Sequence, residues 1–222
     1  MTHARDERAA LCDLLDELGP GAPTLCEGWA TEDLTAHLVL RERRPDAAGG
    51  ILLPFLAGYT GSVQESLKRR HPFPELVRLV RQGPPRWSPY GLVPGLDEAV
   101  NTMELFVHHE DVRRARPGWE PRTLPGGLED TLWKRVSAGA RLFLRRSPVG
   151  VVLRRADGGG TPGGAGRTES KPVGRTAEPM VVVTGRPSEL VLFAFGRGDH
   201  ARVTFEGDAG AVARLRETGF GM

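Results

Sequence analysis

Apolar side chains recur every three or four residues in four long stretches of the chain, the spacing that puts them on one face of a helix. These stretches cover residues 4–18, 31–42, 95–115 and 128–145. A Gly-Pro-Gly sequence ends the first stretch, and Thr31 can cap the N-terminus of the second. Four amphipathic helices of such length predict an antiparallel bundle.

The segment between residues 43 and 94 follows the same pattern less regularly, because proline and glycine interrupt it. Short helices are predicted there at about residues 51–56, 62–69 and 74–80. We assign no chemistry to this segment.

The last third of the chain alternates short strands with helices. Strands are predicted at residues 149–153, 180–183 and 201–205, where β-branched and aromatic residues are frequent. A helical pattern follows each of the last two strands. Residues 155–179 are rich in glycine, threonine and proline and are predicted to form a flexible loop between the first two strands.

These patterns predict an α+β protein of two domains. A four-helix bundle is expected in residues 1–147 and a smaller α/β domain in residues 148–222. A chain of 222 residues is long enough for each domain to bury a core of its own. Whether the protein is a monomer or a homodimer stays open.

Composition and charge exclude several classes of protein. No apolar run approaches the roughly 20 residues of a membrane span, and the N-terminus lacks the apolar core of a signal peptide, so we expect a soluble, cytoplasmic protein. The 30 basic and 28 acidic residues are too evenly matched for nucleic-acid binding. Cys12 and Cys26 form no disulfide or zinc-knuckle motif and are predicted to be free thiols.

Candidate chemistry lies in the third long helix, where Glu104 and His108 are one turn apart and project from the same face. Val100 and Val107 indicate that this line runs beside the face expected to point into the bundle. A buried carboxylate needs a partner, and a divalent cation shared with a facing imidazole would serve. His37, on the apolar side of the second long helix, can supply that imidazole.

Two imidazoles and one carboxylate are the ligand set expected of catalytic zinc, because three protein ligands leave a position for water or substrate. The same set accepts iron, nickel, cobalt or manganese, so the metal identity is open. Asp111 is a candidate for orienting His108 or a bound water, whereas His109, rotated off the line of Glu104, is expected to form a hydrogen bond elsewhere or to approach the rim of the pocket. Arg41, one turn beyond His37, can face an anionic ligand or belong to a solvated helix end.

The candidate ligands also have ordinary structural explanations. An isolated histidine on an apolar helix face, such as His37, is commonly a hydrogen-bonded core residue. The pair of Glu104 and His108 can be a helix-stabilising contact worth a few tenths of a kcal/mol. Cys26 and Trp29 are interpreted as residues that pack the preceding loop onto the second helix.

Two sequence segments resemble a known family. The segment LCEGWATEDLTAHLVLRERRPDAAGG contains a GW-x-x-x-D-L-x-x-H-L pattern, and ELFVHHEDVRRA contains an E-x-x-x-H pair. The chain thereby resembles the mycothiol-dependent maleylpyruvate isomerases and DinB-like metal proteins of actinobacteria, best over its first 150 residues. In the family that the chain resembles, the residues at these motif positions hold the metal, and here those positions are occupied by His37, Glu104 and His108.

The resemblance implies a DinB-like bundle, a zinc-like metal and mycothiol as the thiol cofactor. It also implies a smaller C-terminal domain similar to sterol-carrier folds, which contributes an arginine to the site, and Arg197 is the candidate. The expected enzyme is a metal-dependent mycothiol S-transferase or isomerase acting on a small electrophilic substrate. Transfer is favoured, because residues 43–94 look like a subgroup known only as metal-binding.

A non-catalytic function also fits the sequence, namely a metal-binding or small-ligand carrier protein whose bundle site is structural. An exchangeable position on the ion would distinguish the two functions, since a carrier does not need one. An arginine-rich nucleic-acid module fits poorly, because the basic residues are spread among acids. The expected partners are therefore small molecules, with neither nucleic acid nor membrane among them.

Overall fold

Helices of the first half of the chain pack around a large apolar core, and Leu40, Ala47 and Val63 form a second, smaller cluster. The computed structural model describes residues 2–51, 53–156 and 173–217. The helices of this half are α1 (His3–Leu18), α2 (Thr31–Arg43), the short α3 (Pro45–Ala48), α4 (Ala57–Arg70), α5 (Phe73–Gln82), the short α6 (Pro89–Leu92) and α7 (Leu96–Arg114). Two 3-10 turns, Gly49–Ile51 and Pro54–Leu56, precede α4.

The bundle forms because the apolar faces of these helices pack together. Helix α1 packs against α5 and α7, while α2 packs against α4 and α5. Helix α5 buries Phe73, Leu76, Val77 and Val80, which recur at helical spacing. The segment that looked irregular in sequence therefore contributes α4 and α5 to the bundle, although Gly58 and Gly61 lie within α4 and Pro74 lies in the first turn of α5.

The second half of the chain contains a mixed sheet. Its described strands are β1 (Gly150–Arg155), β2 (Val173–Arg175), β3 (Met180–Gly185) and β4 (Val203–Gly207). They lie in the order β2-β1-β3-β4, with β1 and β3 parallel and both outer pairs antiparallel. The remaining helices are α8 (Gly126–Phe143), α9 (Pro187–Ala194) and α10 (Ala209–Glu217). Every residue of α9 is buried, which places it in the core of this half.

Packing divides the chain into two compact units, Met1–Glu120 and Pro121–Met222. This division comes earlier than the domain boundary predicted after residue 147, because α8 packs against α9 and β2. The predicted α+β class is confirmed. Within the described ranges, no helix combines the length and apolar character needed to cross a membrane.

Most of the loop predicted at residues 155–179 lies outside the described residues. The described chain resumes with β2, a three-residue strand that pairs with β1. Sequence analysis missed β2 because a strand this short, with a central glycine, has no alternating pattern to detect. Strand β4 begins at Val203, two residues later than predicted.

Candidate metal centre

Two helices of the first unit bring three potential metal ligands together: His37 from α2, and Glu104 and His108 from α7. Nε2 of His37 lies 3.6 Å from Oε1 of Glu104, and Nε2 of His108 lies 3.2 Å from the same oxygen. One donor atom from each residue lies within 4.8 Å of the other two. The three side chains predicted as ligands therefore meet in one place.

The spacing of these donor atoms suits a small divalent cation. Zinc binds nitrogen and oxygen at ~2.0–2.1 Å in a tetrahedral arrangement, so two ligand atoms of one ion lie roughly 3.3 Å apart. The nitrogen–oxygen distances of 3.6 and 3.2 Å lie on either side of that value. Both imidazoles are buried, and the Glu104 side chain is partly exposed. The residues present thus fit a metal ion.

Local hydrogen bonds fix the start of α2, the helix that carries His37. Asp33 accepts the N–H of Ala30 at 3.0 Å, which closes the first turn of the helix. Its other carboxylate oxygen accepts from Lys68 of α4 at 2.5 Å, which ties the two helices together. Because most of α2 is buried, His37 is enclosed by neighbouring elements and does not point into solvent.

The sequence predicted one apolar face along α7, but this helix buries polar and charged residues on several sides. Val107 is 1% exposed, as predicted, but Val100 is 38% exposed. Asn101 and Thr102 are fully buried beside it, so the N-terminal half of α7 turns polar residues inward. Hydrogen bonds make this possible, since a buried amide or hydroxyl is tolerated where its partners are present. The hydroxyl of Thr102 donates to the carbonyl of Glu98 at 2.6 Å.

Arg41 places a permanent positive charge beside the carboxylate. Its Nε lies 3.3 Å from Oε1 of Glu104, and its Nη1 donates to the amide oxygen of Asn101 at 3.1 Å. The amide of Asn101 donates in turn to Glu42 at 3.2 Å and to Asp97 at 2.7 Å, and both acids pair with an arginine of α1. Arg41 is therefore part of a buried network, and the alternative of a solvated helix end does not describe it.

The loop between α1 and α2 covers the histidines. The ring of Trp29 lies 5.1 Å from that of His37, and the rings of His37 and His108 lie 5.4 Å apart, centroid to centroid. Sγ of Cys26 lies 3.2 Å from Oδ2 of Asp111 and 4.0 Å from Nδ1 of His108. Cys26, His108 and Asp111 thus form a second group whose donor atoms are close enough to share a cation.

Electrostatics distinguish the two imidazoles. Burial lowers the pKa of His37, and the hydrogen bond with Glu104 does not offset it. Burial also opposes the charged form of His108, but hydrogen bonds with Asp111, Cys26 and Glu104 hold its pKa well above the usual value. Burial would raise the pKa of the Glu104 carboxyl, yet Arg41 and the two imidazoles hold it well below its usual range. The site therefore offers an ionised carboxylate and, on α2, a neutral imidazole.

The other residues predicted for the site lie in three different surroundings. Oδ2 of Asp111 lies 3.0 Å from Nδ1 of His108, where it can orient that ring. His109 faces α1, where its Nδ1 lies 3.0 Å from Oε2 of Glu7. Arg197 belongs to the second unit, and its Nη1 donates to the backbone carbonyl two residues earlier at 2.6 Å. The roles of Arg197 and His109 at the site stay predictions.

Sequence analysis assigned no role at the site to Asn101, Cys26 or Trp29. Asn101 lies three residues before Glu104 on the same helix, and this spacing could have indicated a shared face. Trp29 and Cys26 lie just before the helix that carries His37, and this proximity in sequence only weakly indicates that they are near the site. The contact of Cys26 with Asp111 joins residues 85 positions apart, so no local pattern could reveal it.

Comparison with known proteins gives different results for sequence and for structure. No protein-family model matches the sequence, and no curated protein is significantly similar to it. The structure is similar to the crystal structure of the mycothiol-dependent maleylpyruvate isomerase, with a TM-score of 0.53 and 18% identity over 93% of this chain and 92% of that chain. A mutant of that isomerase matches with a TM-score of 0.50 at the same identity and coverage. The resemblance drawn from the sequence motifs is thus confirmed for the fold of nearly the whole chain.

Proposed function

We propose that this protein is a divalent-metal-dependent enzyme that activates the thiol of a small molecule, mycothiol, for reaction with an electrophilic substrate. The observation that carries the proposal is the meeting of two imidazole nitrogens and a carboxylate oxygen from α2 and α7. The similar fold of a mycothiol-dependent isomerase supports the choice of thiol. Transfer of the thiol onto the electrophile is the reaction we favour, with isomerisation as its close relative.

His37, Glu104 and His108 would hold the metal ion, with zinc as the first candidate. Three protein ligands leave a position at which a thiol can bind. A divalent ion there would lower the pKa of a bound thiol, so that a thiolate is available near neutral pH. The ionised state of Glu104, maintained by Arg41, suits this role because it partly neutralises the charge of the ion.

The reaction itself requires little acid–base chemistry from the protein. In transfer, the thiolate sulfur forms a bond to an electrophilic carbon, and the leaving group departs with its bonding electron pair. In isomerisation, the thiolate would add to an activated double bond to give an enolate, and rotation about the resulting single bond followed by elimination would regenerate the thiolate and the double bond. Both reactions depend on holding the sulfur and the carbon in line and on excluding water from the sulfur.

Arg41 is the nearest candidate for contact with an anionic substrate. Its Nε and Nη1 are occupied by Glu104 and Asn101, which fixes the plane of the guanidinium. A guanidinium held in this way has further N–H groups with which it can bind a carboxylate. Arg197 is a second candidate for the same task, based on the family resemblance.

The test is to measure metal content and thiol transfer together. Purified protein loaded with zinc would be assayed with mycothiol and a panel of electrophiles, such as epoxides, alkyl halides and unsaturated diacids. We expect zinc-dependent consumption of the thiol, absent in His37→Ala and unchanged in Cys12→Ala, a substitution remote from the candidate ligands. A protein that binds zinc but neither consumes thiol with any electrophile nor isomerises the unsaturated diacids would contradict the enzymatic proposal and favour a metal-binding carrier.

A further inference from the structure

The loop of residues 19–30, here called the clamp loop, contacts both histidines of the candidate metal centre. Its Trp29 packs on the ring of His37 at a centroid distance of 5.1 Å. Its Cys26 lies 3.2 Å from the carboxylate of Asp111, which contacts the ring of His108 at 3.0 Å. One short segment therefore reaches the imidazole of α2 directly and the imidazole of α7 through one carboxylate.

Internal hydrogen bonds hold the clamp loop in a tight turn. The hydroxyl of Thr24 donates to the carbonyl of Trp29 at 2.8 Å and accepts the N–H of Cys26 at 3.1 Å. The N–H of Trp29 donates to the carbonyl of Cys26 at 3.0 Å. Gly28, at φ 74°, allows the turn, since other residues rarely adopt this conformation. The backbones of Cys26 and Trp29 are thus fixed relative to each other.

The clamp loop is also tied to α7 through its backbone. The N–H of Leu25 donates to the carbonyl of Asp111 at 3.1 Å. Asp111 therefore contacts the loop twice, once with its backbone and once with its side chain. Its carboxylate is fully buried, so a small shift of the loop would change the contacts of a charged group.

The contact between Asp111 and His108 determines which nitrogen of the ring can bind a metal. A carboxylate beside Nδ1 favours the proton on that nitrogen. Nε2, which lies 3.2 Å from Oε1 of Glu104, is then the nitrogen left to bind a metal ion. Such a carboxylate both selects the tautomer and fixes the plane of the ring.

We propose that the clamp loop positions the metal ligands, with Cys26 and Asp111 acting together on His108 and Trp29 acting on His37. The thiol of Cys26 donates a hydrogen bond to the carboxylate of Asp111. In this arrangement Cys26 is neither a metal ligand nor a nucleophile. This inference rests on the proposed metal-dependent function. Under this proposal Cys26 and Trp29 orient metal ligands in addition to packing the loop onto α2.

A competing arrangement is a cation held directly by Cys26, Asp111 and Nδ1 of His108, since these donors lie close together. The distances favour the positioning role. A zinc ion bound to sulfur and nitrogen would separate those two atoms by roughly 3.6 Å, as its bonds are ~2.3 and ~2.05 Å. The observed separation of Sγ and Nδ1 is longer, at 4.0 Å, whereas Nδ1 and Oδ2 are at hydrogen-bond distance, 3.0 Å.

The experiment compares metal affinity in variants of the clamp contacts with matched controls. Zinc affinity would be measured by competition with a chromophoric chelator for Asp111→Asn and Cys26→Ala. The controls are Glu110→Gln, which alters another buried carboxylate of α7, and Cys12→Ala, which removes another buried thiol. Glu110 forms ion pairs with Arg113 and Arg114. Thermal denaturation would verify that each variant is folded.

We expect Asp111→Asn to weaken zinc binding by about 10–100-fold, the usual effect of removing a partner of a metal-bound histidine. Cys26→Ala should weaken it less than Asp111→Asn does, and Cys26→Ser, which keeps a donor to Asp111, should restore most of the affinity. Both controls should bind zinc within about 2-fold of the unaltered protein, because additivity holds for groups without shared partners.

Cobalt substitution distinguishes the positioning role from direct ligation. If Cys26 positions Asp111, the cobalt protein has no sulfur-to-metal charge-transfer band, and Cys26→Ala changes only the ligand-field bands of the visible spectrum. A near-ultraviolet charge-transfer band that disappears in Cys26→Ala would overturn the positioning role. Zinc binding by Asp111→Asn and Cys26→Ala equal to that of the controls would also overturn it. If the unaltered protein binds no zinc, the proposed function fails, and this inference fails with it.

Discussion

His108 and His109 are adjacent on α7, are buried to similar extents and each contact a carboxylate, yet their surroundings differ. His108, 7% exposed, lies between Glu104 and Asp111 and faces the ring of His37. His109, 5% exposed, lies on the other side of the helix, where its described hydrogen bond is to Glu7 of α1. The same residue type on the same helix therefore serves two different arrangements.

The comparison shows that burial and a carboxylate partner do not by themselves make a metal site. In the pair of His109 and Glu7, one hydrogen bond joins Nδ1 of the ring to Oε2 of the carboxylate. His108 instead shares Oε1 of Glu104 with a second imidazole, that of His37, so three potential metal ligands converge. The presence of His37 from α2 therefore distinguishes the surroundings of His108 from those of His109.

The largest expected effect is on metal affinity when each histidine is replaced. His108→Ala should lower zinc affinity by more than about 100-fold, since it removes a ligand and not merely a partner of a ligand. His109→Ala should leave zinc affinity within about 2-fold of the unaltered protein, because its contact is to α1. Competition titration with a zinc chelator measures both variants. Equal losses in the two variants would mean that His108 has no special role.

The second effect is the stabilisation that metal binding gives to the fold. At free zinc 100 times the Kd, binding should add about 2.7 kcal/mol to the free energy of unfolding. Chelation should remove this increment from the unaltered protein and from His109→Ala, but His37→Ala should show no increment to remove. Denaturant unfolding with and without chelator measures it. A zinc-dependent stabilisation that survives in His37→Ala would place the ion elsewhere.

The third effect concerns stability without metal. His109→Ala should lower the free energy of unfolding by about 1–3 kcal/mol, because the buried carboxylate of Glu7 loses this hydrogen bond. Urea denaturation in the presence of chelator gives the value. If the free energy of unfolding is unchanged, the pair of Glu7 and His109 is not a structural contact, and the interpretation of this side of α7 is incorrect.

The smallest effect concerns the two thiols. Burial raises the pKa of Cys12 to about 12, so almost no thiolate exists at neutral pH, and its side chain is fully enclosed. Cys26 is only half-buried, on the side of α7 that holds the candidate ligands. Iodoacetamide followed by peptide mass spectrometry should label Cys26 before Cys12 in the folded protein. The reverse order would contradict the described burial of the two residues.

The sequence was sufficient to predict the candidate ligands because two of them are four residues apart on one helix. That spacing fixes their shared face regardless of tertiary structure. His37 could be added because the apolar pattern of its helix indicated the side that packs. The meeting of the three residues then depends only on the packing of two helices in one bundle.

Other features could not be predicted because they depend on contacts between distant parts of the chain. Helix α8 has the length of a bundle helix, yet it packs against α9 and β2, and nothing in its own sequence indicates that choice. Val100 fits the apolar repeat of α7 but is exposed, whereas the neighbouring Asn101 is buried and forms hydrogen bonds with Arg41 and Glu42 of α2. The contact between Cys26 and Asp111 likewise needs the folded chain to exist.

The most direct test of the metal site is anomalous diffraction from crystals grown with zinc. We predict one peak within ~2.0–2.2 Å of Nε2 of His37, Nε2 of His108 and a carboxylate oxygen of Glu104, the distances of zinc to such ligands. The peak should be absent in crystals of His37→Ala. A zinc peak bound by Cys26, Asp111 and Nδ1 of His108, or no peak between α2 and α7, would contradict the assignment of this site.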